Sequence, residues 1–178
     1  MKEVLLELQG IGYDYDSREK ALDGVSLTIR KGERIAVLGG NGAGKSTLFL
    51  LCNGVLSPSR GKLFSKGREI AANKKDRLFL RQGTGIVFQE ADSQIIAPTV
   101  EGEVSFGPLN LGLDKEEATR RVGDALSCMG LEDFRHRPPH YLSGGEKKRV
   151  CIADVLAMKP ELMLLDEPEA SLDRKSVV

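Results

Sequence analysis

The chain has 178 residues, 40% of them hydrophobic and 29% charged, the mixture of an ordinary globular domain. Lysine plus arginine equals aspartate plus glutamate at 26 each, so no global basic field argues for nucleic acid or an anionic membrane surface. No apolar run approaches the roughly 20 residues of a membrane-crossing helix, and the N-terminal MKEVLLELQG reads as a strand rather than a signal peptide. If the protein works at a membrane, other chains must hold it there. The three cysteines, Cys52, Cys128 and Cys151, have no metal or redox spacing and are expected to be buried thiols.

In chain order, Val4–Leu8 and Val25–Ile29 read as strands, with a turn signal at Asp23-Gly24 between Leu22 and the second. Arg34–Leu38, with four apolar residues in a row, reads as a strand buried on both faces. A glycine-rich turn and a helix from about Gly44 to Asn53 follow, then a loop at Ser57–Gly61 and a short buried strand at Gly85–Phe88. From Gln89 to about Leu142 the character becomes helical. Asp114 and Glu117 form a capping-box pattern opening a helix to Met129, with Gly130 at the stop. Ser143 and Glu146 open a second helix to about Met158, followed by Pro160. Leu162–Leu165 is an apolar strand running into Asp166-Glu167-Pro168. This alternation predicts an α/β fold with a mostly parallel sheet and a helical insertion.

GGNGAGKST, residues 39–47, matches G-x-x-x-x-G-K-[ST] between a strand and a helix. Gly39, Gly40, Gly42 and Gly44, with Asn41 and Ala43 between them, let the backbone curl so that N–H groups face phosphate oxygens. The helix dipole adds positive potential there. Lys45 is placed for the β- and γ-phosphates of ATP, the Ser46 hydroxyl for Mg2+, and Thr47 closes the motif. In MLLDE, residues 163–167, two acids stand where an apolar strand ends, the end at which ligands sit in open α/β sheets. Asp166 is expected to hold Mg2+ and Glu167 to act as general base toward the attacking water. Leu142-Ser143-Gly144-Gly145-Glu146 leaves bare N–H groups behind a serine cap, a second anion site in one chain.

Together these segments resemble the ATP-binding subunit of ABC transporters, a P-loop NTPase core with an inserted helical subdomain. GGNGAGKST resembles the Walker A loop, LSGGE the signature and LMLLDEP the Walker B strand with its glutamate. Gln89 in VFQE resembles the Q-loop glutamine that contacts Mg2+ and the attacking water. Leu172-Asp173 resembles the D-loop, and Tyr15 the aromatic stacked on adenine, with Tyr13 on the same strand face. QEADSQIIAPTVEGEVSFGPLNLGL and LSGGEKKRV resemble the energy-coupling-factor importers of cobalt, nickel and vitamins.

The resemblance implies a core over residues 1–88 and 159–178, a helical subdomain over 89–158, and ATP hydrolysis driving transport. It also implies a second ABC domain as partner, in a homo- or heterodimer, with Ser143, Gly144 and Gly145 at the partner's ATP. Integral membrane subunits would hold the chain peripherally on the cytoplasmic face of the membrane. No nucleic acid is expected. Two rivals are a soluble ABC ATPase of repair or translation and a nucleotide-binding module without hydrolysis.

Departures from the family pattern are Glu146 for glutamine, Gly40 for proline, Glu169 for a small hydroxyl residue and Asp154 for a small residue. Asp154 is expected to be a buried acid without a partner. The sequence ends at Val178, and its histidines, His136 and His140, precede the signature rather than occupying the family's switch position. The expectation is a truncated, marginally folded chain with weak turnover of its own.

Overall fold

The computed structural model describes residues 2–16 and 19–168. The chain divides into two compact units, Met1–Thr84 and Gly85–Val178. Glu169, Leu172 and Asp173 lie outside the described residues.

In the first unit, β1 (Val4–Asp16) pairs antiparallel with β2 (Glu19–Arg30) and with β3 (Arg60–Ser65), which pairs with the short β4 (Arg68–Glu69). The strand order is β2-β1-β3-β4. The central position of β1 follows from its apolar residues: Leu5, Leu6, Leu8 and Ile11 are all buried. The expected mostly parallel sheet is corrected here, since every pairing in this sheet is antiparallel. Local hairpins explain the difference. Between β3 and β4, Lys66 and Gly67 both have positive φ (50° and 77°), the two-residue turn whose twist suits antiparallel strands.

Asp23-Gly24 does not end a strand. β2 runs through it, and the register shifts between Ile11↔Val25 and Tyr13↔Leu22, so the glycine serves an irregularity inside the ladder. Arg34–Leu38 is a second correction: it forms no strand, Ile35 is exposed and Leu38 is 91% exposed. A run of apolar residues has strand composition, but a strand exists only beside a ladder partner, and none among the described residues pairs with this one.

Helix α1 (Lys45–Cys52) follows the glycine-rich loop. Its far end is fastened by Asn53, whose Nδ2 donates to the Thr84 carbonyl at 2.8 Å. α2 (Lys74–Gly83) is capped by Asn73, whose side chain accepts from Asp76 N at 2.9 Å, while Asp76 pairs with Arg68.

The second unit holds β5 (Thr84–Val87) apart from its first residue, α3 (Val100–Asn110), α4 (Lys115–Cys128), α5 (Gly144–Met158) and β6 (Leu162–Leu165). β5 and β6 form a two-stranded sheet. The helices enclose an apolar core that includes Val104, Val122, Leu126, Leu131, Val150 and Ala153. Below β5 a second cluster joins Val87, Ala91, Cys151 and Val155. Of the two expected capping boxes, the one at Ser143 forms in full, while at Asp114 only the N-cap half forms, because the Glu117 carboxylate is taken by Arg120 and Arg121. Asp114 accepts from Glu117 N at 2.9 Å. Ser143 Oγ accepts from Glu146 N at 3.3 Å while the Glu146 carboxylate accepts from Ser143 N at 2.7 Å. Cys52 and Cys151 are buried, and burial pushes each thiol up to about 12; Cys128 is exposed, against expectation.

Candidate nucleotide site

In the first unit the loop 39–44 curls ahead of α1. Gly42 and Gly44 have φ of 76° and 84°, a backbone region that residues with a Cβ rarely adopt. Gly44 is doubly required, because a Cβ there would run into the Ala21 carbonyl oxygen. Lys45 Nζ folds back over the loop and donates to the Gly39 and Gly40 carbonyls at 3.0 and 2.9 Å. The ammonium therefore lies against the glycine-rich curl itself. Ser46 is exposed beside it and Thr47 is buried. Thr47 Oγ1 is hydrogen-bonded to the Tyr15 hydroxyl at 3.0 Å. That bond ties the aromatic of β1 to the loop, and it leaves the Tyr15 ring 56% exposed, edge-on to Tyr13 with centroids 5.0 Å apart.

In the second unit the ends of β5 and β6 carry the remaining candidates. Asp166 N donates to the Val87 carbonyl at 3.0 Å, which sets the carboxyl end of β6 beside that of β5. Asp166 is buried. Glu167 is exposed, with φ of 44°, a left-handed conformation costing a non-glycine residue on the order of 1–2 kcal/mol. Such backbone strain concentrates at functional sites. Gln89, just past β5, donates from Nε2 to Glu167 Oε2 at 2.7 Å. Within this unit the Gln89 carbonyl and Asp166 carboxylate are hard oxygen donors of the kind that suits Mg2+, and in the first unit the Ser46 hydroxyl is another.

At the start of α5, Ser143 and Gly144 are exposed and Gly145 half-buried. The Ser143 N–H is taken by Glu146, whose carboxyl is held below its usual range chiefly by that backbone bond. The glutamate at this position therefore completes the cap. The Ser143 side chain also hydrogen-bonds to that carboxylate, and the glycine N–H groups stand at the positive end of a 15-residue helix.

Three features escaped the sequence. Lys148 sits in a Glu-Lys-Lys-Arg run that reads as an exposed helix face, yet it is fully buried. The Tyr15–Thr47 bond joins residues with no sequence signal to link them. Asp154 is not partnerless: Gln94 hydrogen-bonds to it, while burial and then the charge of Glu103 raise its carboxyl to about 7.

The sequence pattern of a family described as ABC transporter matches residues 22–170. The chain belongs to that family. It is 52% identical over 170 residues to the energy-coupling factor transporter ATP-binding protein EcfA of Methanococcus maripaludis, covering 96% of this chain and 61% of that protein. To EcfA of Methanocaldococcus jannaschii it is 50% identical over 169 residues, covering 95% and 61%. The chain thus spans about three fifths of the length of the curated relatives it matches. Among solved structures, CbiO1 of Clostridium perfringens, part of the ABC transporter complex CbiONQ, superposes with a TM-score of 0.85 at 43% identity, covering 99% of this chain and 70% of that one. A dimeric ATP-binding cassette bound to ADP and phosphate matches with the same TM-score at 28% identity, covering 97% and 78%. The fold is that of the ABC ATPases, a P-loop NTPase class, and the resemblance to energy-coupling-factor subunits holds.

Proposed function

We propose that this chain is the nucleotide-binding part of an energy-coupling-factor type importer subunit, which couples MgATP binding and hydrolysis to uptake of a metal ion or vitamin. The observation that carries the reading is the 2.7 Å bond between Gln89 and Glu167 at the strand ends, in a chain that also holds the Lys45 loop. The names of the similar proteins from M. maripaludis and C. perfringens support the transport part.

Each residue has a defined task in this reading. Backbone N–H groups of residues 39–44 cradle phosphate, and Lys45 exchanges its loop carbonyls for β- and γ-phosphate oxygens. Tyr15 offers its exposed ring to adenine. Ser46, Gln89 and Asp166 would hold Mg2+, which would neutralise charge on the phosphate oxygens. Glu167 accepts the proton of the attacking water, with Gln89 fixing its orientation. Ser143, Gly144 and Gly145 serve the γ-phosphate of a second ABC domain's ATP.

We assign residues 1–88 and 159–178 to the ATP-binding core and 89–158 to the helical subdomain. No described helix is long and apolar enough to cross a membrane. The names of the similar transporter proteins support attachment through integral membrane subunits, with this chain peripheral on the cytoplasmic face.

Phosphate release measured with and without candidate membrane subunits tests the reading. ATP-dependent turnover that rises on assembly is the expected result. Binding of ATP with no turnover in either state would favour a nucleotide-binding module instead.

A further inference from the structure

Among the described residues, the bulkiest side chain with no exposed surface is a lysine, Lys148, in the first half of α5. Burying an ammonium is costly unless donors find acceptors. Lys148 Nζ donates to the Phe88 carbonyl at 2.6 Å and to the Gln89 carbonyl at 3.0 Å. These are consecutive peptide oxygens of the segment just past the end of β5. Gln89 in turn donates through its side chain to Glu167. Both links lie within one compact unit.

We propose that Lys148 is a positioning residue for ATP hydrolysis: by gripping the Phe88 and Gln89 carbonyls from α5, it fixes the backbone from which the Gln89 amide holds the Glu167 carboxylate. The proposal rests on the ATPase reading above and adds a residue that touches neither nucleotide nor the reacting atoms. The geometry accounts for the choice of lysine. A side chain of similar length without a donor, such as methionine, would fill the same space but leave two carbonyls without their charged partner. The Gln89 backbone would then be free to shift, and a misplacement of about 1 Å in a catalytic group is enough to cost a large factor in rate.

α5 is also the helix whose first residues, Ser143 to Gly145, form the second anion site. Lys148 stands five positions from Ser143 on that helix. One rigid element thus carries both the phosphate-facing glycines and the grip on the Gln89 backbone.

The test is a double-mutant cycle in the assembled, ATP-hydrolysing protein, using Lys148→Met and Gln89→Ala. Lys148→Met is expected to lower kcat about tenfold or more while MgATP affinity changes by less than about threefold. In the Gln89→Ala background the same substitution should cost less than about twofold further, because its effect runs through Gln89. Equal loss of kcat in both backgrounds, or a loss that tracks a falling melting temperature, overturns the proposal. If Lys148→Met fails to fold, Lys148→Gln, which keeps a neutral donor, takes its place in the cycle. If the parent protein shows no turnover, the ATPase reading fails by itself. The grip is then decided by amide hydrogen exchange over residues 88–91, which must rise in the variant; unchanged exchange there overturns it.

Discussion

Gln89 and Glu167 lie 78 residues apart in sequence and share a 2.7 Å hydrogen bond, with the glutamine Nε2 donating to the glutamate Oε2. The amide orients the carboxylate without neutralising it, which suits a group that must accept a proton. Glu167→Gln keeps an oxygen for Gln89 to donate to but removes the base. In the assembled protein it should cut phosphate release by a factor of about a hundred or more, with MgATP affinity nearly unchanged. Turnover close to that of the parent would assign the base elsewhere.

Asp154 makes a pH-dependent contribution whose sign follows from its environment. Burial, and secondarily Glu103, raise its carboxyl to about 7, with the Gln94 hydrogen bond opposing them; Cys151 is the other titratable neighbour. In the unfolded chain an aspartate titrates near 3.9. Between about pH 4 and pH 7 the folded state therefore holds a proton that the unfolded state has lost, so stability falls as pH rises through this window and is flat above it. Asp154→Asn should remove that slope and stabilise the protein at pH 7.5, by at most a few kcal/mol. Urea unfolding of both proteins at pH 5 and pH 7.5 is the check, and a variant less stable at pH 7.5 would contradict it.

The shared-site arrangement predicts complementation. Ser143→Ala and Lys45→Ala should each be inactive alone in the assembled protein. When mixed, they form dimers with one site retaining both elements and one retaining neither, so partial turnover should return. The Ser143 variant also loses its cap, worth about 1 kcal/mol, so its fold must be verified by melting first. If no mixing ratio restores any turnover, the trans role of Ser143, Gly144 and Gly145 is lost.

How much of this was legible in the sequence depended on whether the cause was local. The caps at Asp114 and Ser143 were readable because each involves residues three apart on one turn. The phosphate loop was readable because its conformation demands glycine where φ is positive, as at Gly42 and Gly44. The apolar strand Leu162–Leu165 formed as expected because β5 stands beside it. Arg34–Leu38 has the same composition and formed no strand, since pairing is a property of the neighbour and not of the run itself. β3 and α2 were missed for a similar reason. The Arg60-Gly61 start of β3 carries a turn-like residue pair whose strand state is imposed by β1. Lys148 was invisible because charge pattern alone predicts solvent, whereas two carbonyls some 60 residues earlier in the chain bury it.

Titration calorimetry with MgATP tests the central claim most directly, comparing the parent protein with Lys45→Ala. Lys45 Nζ lies on the Gly39 and Gly40 carbonyls of the loop to which the γ-phosphate is assigned. The account predicts saturable binding by the parent and affinity weakened at least about tenfold in the variant, a loss of roughly 1.4 kcal/mol or more. Equal affinity in the two proteins would contradict it.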